Sequence, residues 1–268
     1  EQVLANLLSA CTIMPQMGAL SAIAETLESV CTKLLSSVGC TPLLTAATEL
    51  LAKLSGRRVL RRSTGISAAF LALLRPMARS RQRQLQTKTA EILRDLICCA
   101  QSGESVARLA ALDSLTLTLR DRDLVVAAQR ATVESSGDTL SHALELAIRV
   151  QAEPSWGAHN SAAQLFAVVS QRLAGNGGKQ LGNDDSRSTT LDACLAGHTR
   201  LATALVALTS LHSAEFHVLT FLSLFKPSGS TLDQADTACS KLRAYAERCS
   251  CSRSLRLRVA AAGALAAL

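Results

Sequence analysis

The chain has 268 residues, 48% hydrophobic and 18% charged, with a mean hydropathy of +0.23, which excludes a predominantly disordered polymer and supplies enough apolar material for a large core. The formal net charge is +7 and the pI about 9.1, but the excess is local. Nine of the 28 Lys and Arg lie in residues 57–90, which contain none of the 21 Asp and Glu, so acidic side chains outnumber basic ones in the rest of the chain.

Leu and Ala dominate, aromatic residues make up only 3%, and apolar positions recur at three and four rather than two. Helices are therefore expected almost throughout. Thr41-Pro42 reads as an N-cap followed by a first-turn proline, Leu43, Ala47, Leu50 and Leu54 share one face, and Gly56 is the stop. The next helix begins near Val59, with Val59, Ile66, Phe70 and Leu73 in its buried stripe and Leu60 and Leu74 alongside. Arg58, Arg61 and Gly65 fall on another face, with Arg62 at its boundary. Gly65 has no Cβ there, so a backbone or a ligand can come close, and the arginines offer planar charged forks suited to phosphate or carboxylate. Pro76 is expected to end this helix.

Residues 81–101 read as a second helix that begins basic, with Arg81, Arg83 and Lys88, and turns apolar. Gly103, Gly137 and Pro154 separate further helices. On one of them His142, Glu145 and Arg149 read as a surface ion cluster. Pro154 then opens a helix whose stripe runs Ala158, Ala162, Leu165, Phe166, Val169 and Leu173, with Asn160, Gln164 and Gln171 on its polar side. Trp156, the only tryptophan, is either an anchor between helix pairs or a contact at the end of a groove. Residues 175–190, with four glycines, read as a mobile loop, and its Gly177-Gly178-Lys179 lacks the context of a phosphate loop. Leu201 to Phe225 reads as one or two buried helices, because His212, Glu215 and His217 interrupt it.

The fold expected is all-α, one α-solenoid segment of HEAT- or armadillo-like helix pairs spanning 1–268, each pair roughly 40 residues long. The start at Glu1 and the apolar finish from Ala260 to Leu268 read as a piece cut from a longer chain. Nine cysteines without a regular framework point to a reducing, cytoplasmic setting, and neither Cys98-Cys99 nor Cys249-Ser250-Cys251 has the spacing of a zinc site. No membrane span and no cofactor are expected. Strands and a glycine-rich first turn are absent, and the histidines have no triad or metal spacing, so catalysis by this chain is not expected.

Two constellations resemble the central domain of the thyroid adenoma-associated protein (THADA) family: Arg61-Arg62-Ser63-Thr64-Gly65-Ile66, and Pro154-x-Trp156 with Asn160-Ser161-Ala162 leading to Leu165-Phe166. The alanine-rich run from Arg258 through Leu265 is also similar. The chain departs from the family pattern at Thr64 and Ser67 in the first motif and at Gly157 and His159 in the second. The resemblance implies a large non-catalytic α-solenoid, the partner subunit of a ribose 2′-O-methyltransferase acting on the first nucleotide of the tRNA anticodon loop. Arg61, Arg62, Ser63 and Gly65 match the first motif and Trp156, Asn160 and Ser161 the second, whereas His159 stands where relatives have arginine.

The residues expected at an RNA or partner surface are thus Arg57, Arg58, Arg61, Arg62, Ser63, Gly65, Arg81, Arg83, Lys88, Trp156 and Asn160. The expected partners are tRNA and the catalytic methyltransferase subunit, with no small-molecule substrate of the chain's own. Few aromatics leave little for base stacking, so RNA would be held by its backbone and shape. The alternative is a protein-only scaffold whose arginines engage an acidic partner or lock adjacent repeats together.

Overall fold

A computed structural model describes residues 2–14, 16–55, 64–102, 105–132, 138–153, 156–175, 189–226 and 237–268. Among these residues the secondary structure is helical, apart from turns and one isolated bridge between Thr190 and Lys226. The chain divides into two compact units, Glu1–Thr139 and Leu140–Leu268.

The first unit holds α1 (Gln2–Ile13), α2 (Met17–Ser37), α3 (Thr41–Ser55), α4 (Thr64–Arg79), α5 (Arg83–Ser102), α6 (Ser105–Arg120) and α7 (Arg122–Thr132). From α2 onward each helix packs on the next but one: α2 on α4 and α4 on α6 in one layer, α3 on α5 and α5 on α7 in the other. Sequence neighbours such as α5 and α6 close the space between the layers. This is the two-layer stacking of helical repeats, in which no helix buries its stripe alone. Helix α6 lies inside the stack, with Ala110, Ala111, Leu112, Leu115 and Leu119 buried. Three of its hydroxyls are buried as well, and they are satisfied within the helix: Ser114 donates to the Ala110 carbonyl at 2.7 Å, Thr116 to Leu112 at 2.8 Å and Thr118 to Ser114 at 2.8 Å. Ser67 of α4 meets Ser114 at 3.1 Å, a buried hydroxyl pair between the two helices.

The described part of the expected stripes is in place, while Val59 and Leu60 lie outside the described residues. Leu43, Ala47, Leu50 and Leu54 of α3, and Ile66, Phe70, Leu73 and Leu74 of α4, are at most 1% exposed. Three boundaries differ from expectation, and the first is the helix expected from 81, which starts at Arg83. Helix α3 starts at Thr41 itself, because the Cys40 carbonyl already accepts from Leu44 at 3.0 Å, so Cys40 rather than Thr41 holds the cap position. Pro76 does not end α4, which continues to Arg79. The ring removes one N–H, but Pro76 and Met77 are buried and Arg75 and Arg79 are tied to acids on neighbouring helices, which outweighs one lost hydrogen bond in the last turns.

The second unit holds α8 (Thr139–Ala152), α9 (Trp156–Leu173), α10 (Leu191–Gly197), α11 (Thr199–Leu208), a 3-10 turn (His212–Ala214), α12 (Glu215–Leu222), α13 (Thr237–Ser250) and α14 (Leu255–Ala267). Again α11 packs on α13 and α12 on α14. The Leu201 to Phe225 stretch is two helices, with Leu201, Leu205, Leu208, Val218, Leu219 and Phe221 buried. No single described helix is long and apolar enough to cross a membrane; α10 and α11 together are apolar, but they meet at 114°. All but the edges of the expected 175–190 loop lies outside the described residues.

Candidate nucleic-acid interface

Of the residues expected at the site, Arg57, Arg58, Arg61, Arg62 and Ser63 lie outside the described residues, as does the side chain of Trp156. Gly65 stands in the first turn of α4 and is buried. A Cβ on it would fall 2.0 Å from the Cys11 carbonyl oxygen and 3.4 Å from the Thr12 Cα. Close approach at Gly65 is therefore real, but the approaching group is the backbone at the end of α1. Of the two approaches expected there, backbone or ligand, the backbone is the one seen: the missing side chain lets two helices touch.

The acids of neighbouring helices also claim part of the basic segment. Arg75 donates from Nε to Asp121 at 2.8 Å and from Nη1 to Glu28 at 2.6 Å. Arg79, one turn on, reaches Asp123 at 2.7 Å and the other Glu28 oxygen at 2.9 Å. Burial works against the charge on Arg75, yet its pKa is raised overall by the hydrogen bonds and charges of Glu28 and Asp121. Asp121 also accepts from the Asp123 and Leu124 amides at 2.9 and 3.2 Å at the start of α7. Two arginines that the sequence places in a basic run thus join three acids from α2 and the α6–α7 junction. Lys88 pairs with Glu91 at 2.7 Å. Arg81 and Arg83 are exposed, but they follow the far end of α4 at Arg79, about 21 Å of helix from Gly65 at 1.5 Å per residue. The structure does not bring them to Gly65.

The second motif sits in the other unit. Ala158, Ala162, Leu165, Phe166, Val169 and Leu173 of α9 are buried, while Asn160, Gln164 and Gln171 are exposed, as their spacing requires. The His159 ring is hydrogen-bonded to the Glu153 carbonyl, which fixes it across the start of α9. His217 of α12 packs edge-on to Phe166 and Phe216, with ring centroids 5.7 Å apart in both cases. Its Nδ1 is buried and has no hydrogen-bond partner. Burial first, then the charges of Arg256 and His159, hold its pKa below the ordinary 6.5. The unfolded chain therefore takes up a proton that the folded chain refuses, and stability falls with pH from about 6.5 down to that lowered value. The melting temperature of the native chain should fall more steeply over this window than that of His217→Gln; parallel slopes would refute the assignment.

No family model matches the chain, and no curated protein is similar to it at a significant level. Among solved structures it is similar to a designed armadillo repeat protein in complex with the peptide (KR)4, at 12% identity and a TM-score of 0.40, with 98% of each chain covered. A second designed armadillo repeat protein gives 14% identity and a TM-score of 0.39 over 99% of both chains. An engineered protein is similar at 14% identity and a TM-score of 0.40, covering 98% of this chain and 94% of its own.

Sequence reading centred on residues 57–90 missed a second basic run. Residues 241–258 contain Lys241, Arg243, Arg248, Arg253, Arg256 and Arg258 against the single acid Glu247. All six cations are exposed on α13, α14 and the turn between them. A sliding charge count would have found the run, but not the way Arg256 lies over the Phe216 ring, its guanidinium carbon 3.7 Å from the centroid.

Proposed function

We propose that this chain is a non-catalytic helical scaffold that binds tRNA and positions a partner methyltransferase for 2′-O-ribose methylation of the first anticodon-loop nucleotide. The observation that carries the reading is the pairing of the Arg61-Arg62-Ser63-Thr64-Gly65 motif with a stacked helical unit in which Gly65 seats α1 against α4. Stacked helices offer a long surface for a folded RNA, and the cations outside the Arg75–Arg79 ion network supply the charge that meets its phosphates. Methyl transfer belongs to the partner, and this chain's part is to hold and orient the substrate.

Arg61→Ala/Arg62→Ala is expected to weaken tRNA binding and to lower the salt slope by about 1 for each phosphate that is no longer neutralised, with the melting temperature unchanged. Unchanged ribose methylation of the anticodon loop in cells lacking the full protein would overturn the reading. The protein-only scaffold is favoured by one observation, the capture of Arg75 and Arg79 by Glu28, Asp121 and Asp123. It expects no tRNA binding by the intact chain at any salt concentration.

A further inference from the structure

We propose that the exposed cations of α13, α14 and the turn between them, centred on Arg256, form an RNA phosphodiester-binding surface. The inference rests on the tRNA reading above and locates a surface for it that neither sequence motif contains. Lys241, Arg243, Arg248, Arg253, Arg256 and Arg258 are all exposed. In contrast to Arg75 and Arg79, none of the six forms an ion pair with an Asp or Glu side chain among the described residues.

Arg258 has neutral anchors. It donates from Nη1 to the Ser252 and Arg253 carbonyls at 2.9 and 3.1 Å. Such bonds hold the side chain in place and leave its charge uncompensated. Arg256 is oriented by its stack on Phe216. An arginine stacked on a ring keeps the N–H groups at its edge free, a fork that matches two phosphate oxygens. Lys241 and Arg248, both on α13, line an open groove with Val206 and Thr209 at the end of α11. Glu247 is the one acid in that groove, and Glu215, at the start of α12, is engaged by His212 at 3.0 Å.

Why RNA rather than an acidic protein? The cations are spread over two helices and a turn, which suits a repeating polyanion better than one carboxylate pair. The scarcity of aromatics, seven in the chain, also fits a surface that holds backbone and leaves bases unread.

The test measures binding of fluorescein-labelled unfractionated tRNA to the full chain by anisotropy over a range of salt concentrations. Arg253→Ala/Arg256→Ala is expected to weaken binding roughly tenfold at low salt and to reduce the salt slope by about 2. Arg256→Lys, which keeps the charge and loses the planar stack, is expected to fall in between with the slope retained. If the native chain binds tRNA and both variants bind equally well, this surface is wrong while the tRNA reading stands. If the native chain does not bind tRNA, both fall. If polyglutamate competes as strongly as tRNA, the surface is a protein-docking face, with the exposed Leu255 and Val259 beside its arginines, and the proposal is overturned.

Discussion

Gly65→Ala is expected to destabilise the first unit by about 2 kcal/mol or more, a substitution that in an exposed helix would instead stabilise by about 1 kcal/mol. The added methyl would sit 2.0 Å from the Cys11 carbonyl oxygen and 3.0 Å from its carbon. Both are backbone atoms, so no rotamer change relieves the clash and α1 itself must move. Movement of α1 also disturbs its packing on α2, because α1 lies against both α2 and α4. Thermal or denaturant unfolding of the variant measures the effect. An unchanged or raised melting temperature would show that α1 is not seated on Gly65, and the glycine would again be open to a ligand-binding role.

Removal of Arg75 is expected to cost about 2 kcal/mol, between the small value of an exposed pair and the larger cost of orphaning a buried charge. The side chains of Arg75, Glu28 and Asp121 are 25%, 21% and 12% exposed, so water screens the network only in part. Arg75→Met would leave Asp121 without its guanidinium while Arg79 still holds Glu28. Asp121→Asn in the same chain should recover a portion of the loss, since the residual cost comes from an unpaired carboxylate. A double-mutant cycle reads this coupling directly. The same variant separates structural from RNA-binding arginines. Arg75→Met is expected to lower stability and leave the salt dependence of tRNA binding unchanged, opposite to the pattern expected for Arg61→Ala/Arg62→Ala. A reduced salt slope for Arg75→Met would place Arg75 on the RNA surface and contradict its enclosure by acids.

These two cases mark where sequence reading of the basic segment stopped. Nine cations without a local acid look like one surface, but the acids that neutralise Arg75 and Arg79 are 44 to 51 positions away, on α2 and at the start of α7. The Arg75–Asp121 and Arg75–Glu28 separations, 46 and 47, are each about one helix pair along the chain. An arginine on one repeat therefore faces acids on the repeats before and after it. Pro76 misled for a related reason: a local rule for helix ends was overruled by partners that local sequence does not show.

The all-helical class and the buried faces of the helices could be read from the residues alone. Both follow from residue propensity and from the 3.6-residue turn, which relates positions three and four apart without reference to anything distant. Ile66, Phe70 and Leu73, and Ala162, Leu165 and Val169, are buried as that spacing requires. What meets each face was set by the stacking of the helices. It put the α1 backbone on Gly65, three acids on Arg75 and Arg79, and Phe216 beneath Arg256. The physical reason is that periodicity is written within one helix, whereas a charge or a missing side chain acquires its role from groups that only the stacking of helices brings within a few ångströms.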